Sequence, residues 1–136
     1  MQSGTTSSDA VRVLLVDDNE AMLARAAAVL SSGCIIVGAV KDGSAALEAA
    51  ATLRPDVIVL DISMPGMTGF EVACRVREAG SGAALVFLTI HEDEEYVNAA
   101  RAAGAYGYVV KPRLASDLLH AVREAQARRP FVSAIR

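Results

Sequence analysis

Three aspartates stand directly after two short apolar runs: Asp17 and Asp18 follow residues 11–16, and Asp61 follows residues 57–60. A third such run, residues 84–89, ends in a hydroxyl, Thr89, and a fourth, residues 106–110, ends at an ammonium, Lys111. Lys41 and Asp42 close a fifth run, residues 35–40. If these runs are parallel strands, the polar residues collect beyond their carboxyl ends, where open parallel sheets bind ligands. Three carboxylates brought together cannot all ionise comfortably without a cation. Mg²⁺ suits them, since it takes oxygen ligands, keeps waters and binds beside phosphate. With Lys111 it would neutralise charge on a phosphoryl group in transit. In-line attack by a carboxylate would then give an acyl phosphate. Asp61, alone at the end of a central strand, is the stronger nucleophile candidate, and Asp17 and Asp18 are better placed as metal ligands.

Each of these residues has a plainer reading on its own. Asp18 or Asn19 could cap the helix that follows, Lys111 could be a solvated lysine, and Thr89 a polar strand end. Their joint occurrence at four strand ends on one rim is what favours a site.

The elements that would hold them alternate strictly. Strands are expected at 11–16, 35–40, 57–60, 84–89 and 106–110, and helices at 20–30, 45–53, 70–79, 92–103 and 116–128. Met22, Ala26, Val29 and Leu30 share one face of the first helix, and Leu118, Leu119, Val122 and Ala125 one face of the last. Five β–α units imply an α/β, doubly wound parallel sheet with helices on both faces. All-apolar strands agree, because such a sheet buries both faces. A flavodoxin-like order, 2-1-3-4-5, makes the first and third strands neighbours, so Asp17, Asp18 and Asp61 converge. Residues 1–10 are expected to be a disordered lead, 11–129 one domain, and 130–136 a tail or the start of a linker.

Composition narrows the rest. A 53% hydrophobic content supports a substantial core, and only 4% aromatic residues means it is built from Val, Leu, Ile and Ala. The net charge of −3 gives no general reason for direct nucleic-acid binding. From Lys111 onward there are six basic and two acidic residues, a net of +4 that leaves −7 on the remainder. A solvated final helix with Arg near its negative end accounts for that tail. Cys34 and Cys74 lack metal-ligand spacing and read as reduced thiols. No signal pattern opens the chain, and no apolar run approaches the roughly 20 residues of a membrane span. A cytoplasmic location is expected.

V-D-D at 16–18, L-D-I-S-M-P-G-M-T-G at 60–69, L-T-I-H at 88–91 and Y-V-V-K-P at 108–112 together resemble the receiver domains of bacterial two-component response regulators. The resemblance covers residues 11–128. It implies Asp61 as phosphoacceptor and Mg²⁺ held by Asp18, Asp61 and the Ser63 backbone carbonyl, with Asp17 acting largely through water. It implies Thr89 and Lys111 on the phosphoryl oxygens, with Thr89 moving toward phosphate and Tyr108 swinging inward as the switch. The face formed by the fourth helix, fifth strand and fifth helix is then the output surface. A sensor histidine kinase or phosphotransfer protein is the implied partner. Members with Lys-Pro at this place usually hold the bond cis, which is expected of Lys111–Pro112. I-S-M-P-G-M-T-G and H-E-D-E-E-Y-V resemble the subgroup that precedes helix-turn-helix effectors, although Lys-Pro is less typical there. Ser63 and His91, each two residues past a site residue, are candidates for setting the phosphoryl lifetime; for His91 a surface role near a helix start is the plainer reading.

Three other functions compete. A phosphatase or phosphotransferase with an Asp nucleophile would need a general acid, and Ser63 stands where a second Asp would serve. A phosphate-independent binding module would be expected to lose one of the acidic residues or the lysine, and all are kept. A flavodoxin-like cofactor site fits D-D-N-E poorly, because that loop repels phosphate without a metal. The regulatory reading is therefore not an enzyme acting on external substrates, though it catalyses its own phosphorylation and dephosphorylation. Homodimerisation is a candidate through the first helix, the last helix or the fourth-helix to fifth-helix face.

Overall fold

Runs of β-branched and aliphatic residues too short for helices become strands here, and the Ala-rich amphipathic stretches between them become helices. A computed structural model describes residues 10–134; of the lead expected at 1–10, all but residue 10 lies outside them. The strands are β1 (Val11–Val16), β2 (Cys34–Val40), β3 (Val57–Leu60), β4 (Ala84–Thr89), β5 (Gly107–Val110) and β6 (Phe131–Val132). The helices are α1 (Glu20–Leu30), α2 (Gly43–Leu53), α3 (Gly69–Glu78), α4 (Glu94–Ala102) and α5 (Leu114–Gln126).

All pairings are parallel, in the order β2-β1-β3-β4-β5-β6. The doubly wound, flavodoxin-like arrangement expected from the sequence is present. It carries one more strand than expected, because residues 131–132 continue the sheet past β5 where a tail was anticipated. Helix α5 also starts two residues earlier than expected. The chain leaves β5 through a 3₁₀ turn, Lys111–Arg113, with Pro112 in its opening positions, and runs straight into α5. Proline suits the first turn of a helix, where no backbone donor is needed.

Strict alternation along the central strands divides the core in two. Leu14, Val16, Ile58, Leu60, Leu85 and Phe87 face α2, α3 and α4. Val13, Leu15, Val57, Val59, Val86 and Leu88 face α1 and α5. Every residue of β3, β4 and β5 is buried, as a sheet covered on both faces requires. Small residues such as Ala46, Ala73, Ala121 and Ala125, all buried, let the helices lie close to it. The loops after β1, β3, β4 and β5 thus emerge at one end of a rigid layer.

Candidate functional site

Asp17 leaves β1 with its backbone N–H still bonded to the Val40 carbonyl, 3.1 Å away, and Asp61 leaves β3 bonded to the Val16 carbonyl at 3.0 Å. The sheet ladder therefore fixes both aspartates side by side, and both are buried. Asp18 is exposed beside them. One carboxylate oxygen from each of Asp17, Asp18 and Asp61 lies within 4.8 Å of the others. Lys111 completes the group, its Nζ 3.0 Å from Asp17 Oδ2 and 3.5 Å from Asp61 Oδ2.

These charges are only partly satisfied. Asp17 Oδ1 accepts the Asn19 N–H at 2.8 Å, which folds the loop over it. Asp17 Oδ2 is buried and has no aligned hydrogen bond, although the ammonium stands 3.0 Å away. We take the ammonium as charge compensation that leaves lone pairs free. Burial and the neighbouring Asp17 charge push Asp61 above the ordinary carboxylate range; Lys111 and the Ile62 N–H offset this in part. Three carboxylates clustered around one ammonium, two of them buried, are a donor set that fits a hard divalent cation. Such an ion would be held by Asp17, Asp18 and Asp61.

The expected capping of α1 falls to Asn19, whose Oδ1 accepts the Met22 N–H at 3.0 Å, so Asp18 is not spent as the cap. Lys41 and Asp42 stay outside the group. Lys41 pairs with Glu20 at 2.9 Å in solvent, and Asp42 caps α2 through the Ala45 N–H at 2.8 Å.

Thr89 is fully buried at the end of β4, its Oγ1 accepting the His91 N–H at 3.2 Å. Ser63 and His91 are joined directly, Oγ to Nε2, at 2.8 Å across the loops after β3 and β4. The His91 ring stacks on Tyr96, with centroids 4.0 Å apart and planes within 7°. Its backbone carbonyl accepts the Tyr108 hydroxyl at 2.8 Å. The Ser63 side chain thus turns toward His91; a metal contact for this residue was expected through its carbonyl, not its hydroxyl.

One expectation needs correction. Every peptide bond among the described residues is trans, including Lys111–Pro112. Trans is the lower-energy form by about 0.5–1 kcal/mol even before proline, and the 3₁₀ turn brings Lys111 to Asp17 without a cis bond. Tyr108, expected to swing inward when phosphate arrives, is 2% exposed here. The His91 carbonyl satisfies the buried phenol, and burial with Asp93 and Tyr96 nearby pushes its pKa up to about 12, so it remains a donor.

One residue of the site went unrecognised. A side chain at Gly69 would overlap the Asp61 carbonyl oxygen and press on Ile62. The Gly69 N–H donates to the Ile62 carbonyl at 2.8 Å, closing the loop that carries Ser63 onto the strand end. The glycine two residues before Glu71, in T-G-F-E, was the available signal: Thr68 and Glu71 form a capping box that fixes the start of α3 at Gly69.

Residues 13–123 match the family model described as the response regulator receiver domain. The chain belongs to the response-regulator receiver family. It is similar to the DNA-binding response regulator MtrA of Mycolicibacterium smegmatis, 40% identical over 112 residues covering 82% of this chain and 49% of that protein. It is 32% identical over 124 residues to the nitrate/nitrite response regulator protein NarL of Escherichia coli, covering 90% of this chain and 57% of that one. The chain therefore spans about half the length of the curated relatives it matches. Among solved structures, the signal receiver domain of a NarL response regulator from Mycobacterium tuberculosis superposes with a TM-score of 0.83 at 32% identity, covering 88% of this chain and 98% of that one. The response regulator domain of Thermotoga maritima CheB gives 0.81 at 29%, covering 89% and 99%. As a receiver domain of a two-component system, the chain is regulatory in class. Among the described residues no helix is long and apolar enough to cross a membrane.

Proposed function

We propose that this receiver is a phosphoacceptor switch in which Asp61 takes a phosphoryl group from a sensor histidine kinase or phosphotransfer protein. The observation that carries the reading is the crowding of buried Asp61 and Asp17 around one ammonium, with the Asp18 carboxylate beside them. In the transfer, an Asp61 carboxylate oxygen bonds to phosphorus as the donor's bond to phosphorus breaks, and the leaving group departs with that electron pair and takes a proton. Lys111 would move from carboxylate to phosphoryl oxygens without crossing the site, which favours the product electrostatically. Thr89, on the neighbouring strand end, would supply a hydroxyl to another oxygen. Mg²⁺, held by Asp17, Asp18, Asp61 and the Ser63 carbonyl, would supply charge neutralisation and orientation when bound.

The switch then runs through Thr89, His91 and Tyr108, which already form one chain of contacts. Movement of Thr89 toward phosphate would draw on the His91 N–H and disturb the carbonyl that holds Tyr108. The face of α4, β5 and α5 would relay that change to a partner protein, with dimerisation through it one outcome, and the domain would work in the cytoplasm. Nucleic-acid contact is not assigned to this chain, whose net charge is −3.

Incubation with Mg²⁺ and acetyl phosphate, followed by intact-mass measurement, tests the proposal. A single base-labile phosphoryl adduct is expected, dependent on Mg²⁺ and missing in Asp61→Asn. An adduct of equal yield in the variant would overturn the assignment of the acceptor. Ser63 and His91, bonded to each other at 2.8 Å, would flank the path of an attacking water, so His91→Ala is expected to change the decay of the adduct several-fold; an unchanged decay would remove His91 from the account.

A further inference from the structure

The segment after α5 is built into the sheet by more than strand pairing. Phe131 N–H donates to the Tyr106 carbonyl at 3.0 Å, and Ser133 N–H to the Tyr108 carbonyl at 2.8 Å. The Ser133 hydroxyl then takes the place of a backbone carbonyl, accepting the Val110 N–H at 3.2 Å. The same hydroxyl donates to Asp117 Oδ2 at 2.7 Å, and Ser133 is 3% exposed. Asp117 is in turn gripped by Arg113 Nε at 2.9 Å. On one side of this short strand Phe131 stands edge-on against His120, with centroids 5.1 Å apart. On the other, Pro130 and Val132 form a wall of a cavity of about 310 Å³ shared with Val97, Ala100 and Tyr108.

Three of these bonds grip the backbone of β5 around Tyr108 and immediately before Lys111. Arg113, which positions the Asp117 carboxylate, belongs to the same 3₁₀ turn as Lys111. The latch and the acidic site therefore share one small rigid element. We propose that Phe131–Ser133 is a strap that closes the edge of β5 while Lys111 is paired with Asp17 and Asp61, and that it is released when Asp61 is phosphorylated.

The sign follows from the geometry. The Ser133 hydroxyl has two bonds, of 2.7 and 3.2 Å, set by where the turn lies when Lys111 reaches bare carboxylates. A phosphoryl group on Asp61 places its oxygens farther out and draws the ammonium to them. Two residues on, Arg113 and with it Asp117 lose the position that Ser133 fits. Release would bare the Tyr106 and Tyr108 carbonyls and the Val110 N–H, a parallel pairing edge of the kind extended partner segments use. The strap is then an autoinhibitory cover on the edge of the output face. It rests on the phosphoacceptor reading.

Amide hydrogen exchange on the full chain tests it, with and without Mg²⁺ and beryllofluoride. The expected result is protection gained in the loop after Asp61, reporting that the mimic binds, together with at least tenfold faster exchange at Val110 and Ser133. Ser133→Ala should show fast Val110 exchange without the mimic, while Ser133→Thr, which keeps the hydroxyl, should retain protection. Because coupling is reciprocal, Ser133→Ala should also bind beryllofluoride several-fold more tightly. Bound mimic with unchanged or increased strap protection would overturn the strap while leaving the phosphoacceptor reading intact. Failure of the mimic to protect the Asp61 loop would overturn that reading, and the coupling with it.

Discussion

The two ends of the sheet treat their charges in opposite ways. At the end where β1 and β3 begin, Arg12 N–H donates to Asp56 Oδ2 at 2.9 Å, and the Arg12 guanidinium caps α2 through the Leu53 and Arg54 carbonyls at 2.8 and 2.6 Å. Arg128 donates to the Gly82 carbonyl at 2.7 Å and lies over the Tyr106 ring. At the other end, Asp17 and Asp61 are buried together, share one ammonium and leave an oxygen without a hydrogen bond. A concavity of about 780 Å³ between Arg54, Asp56, Arg75 and Arg128 belongs to the first end. Size alone would therefore not single out the acidic end. What separates the two is polar satisfaction: structural charges are bonded, and charges left crowded are held for something that arrives.

Substitutions should separate the ends by sign. The largest loss is expected from Gly69→Ala, where a methyl group meets the Asp61 backbone, with nothing flexible to yield. Overpacking of this kind costs about 1–3 kcal/mol or more, read as a lower denaturation midpoint together with a weaker phosphoryl yield. A normal midpoint would show that α3 can move away from the strand end. Next comes Asp56→Ala at the satisfied end, which leaves the Arg12 N–H without its partner. A loss of about 1–2 kcal/mol is expected in urea unfolding, and a neutral result would erase the contrast between the ends.

Asp117 provides a smaller, pH-dependent case. Burial alone would raise its pKa, but hydrogen bonds from Arg113, Ser133 and Ser116 outweigh it and hold the carboxyl below 3.8. Its contribution is therefore present in full above the unfolded value and lost as pH falls through the lower folded one. Asp117→Asn should cost about 1 kcal/mol at neutral pH, with the gap to the parent chain narrowing below about pH 4. A gap that widened in acid would contradict the sign.

How far the sequence carried this picture depended on signal length. Runs such as residues 11–16 and 84–89 end abruptly in polar residues, so both the strands and the rim at Asp17, Asp61, Thr89 and Lys111 could be read directly. The start of α1 was marked by the capping candidates Asp18 and Asn19, whereas Asp42, the cap of α2, read only as the end of a strand. The strand at Phe131–Val132 was not legible, because two residues show no periodicity and its stability comes from Ser133 meeting Asp117, 16 positions away. Gly69 looked like one more loop glycine until the strand end beneath it was in place. The trans bond before Pro112 was misjudged because it depends on a tertiary partner, the turn that delivers Lys111.

The contrast is tested most directly by thermal melting of the parent chain and Asp61→Asn, each with and without Mg²⁺ at neutral pH. If the acidic end is held for a cation and a phosphoryl group, removing one charge relieves it. Asp61→Asn should melt higher than the parent without Mg²⁺, by roughly 2–8 °C for about 1 kcal/mol. Mg²⁺ should raise the parent and do little for the variant. A less stable variant, or a parent indifferent to Mg²⁺, would show that the aspartates are structural and would contradict the account.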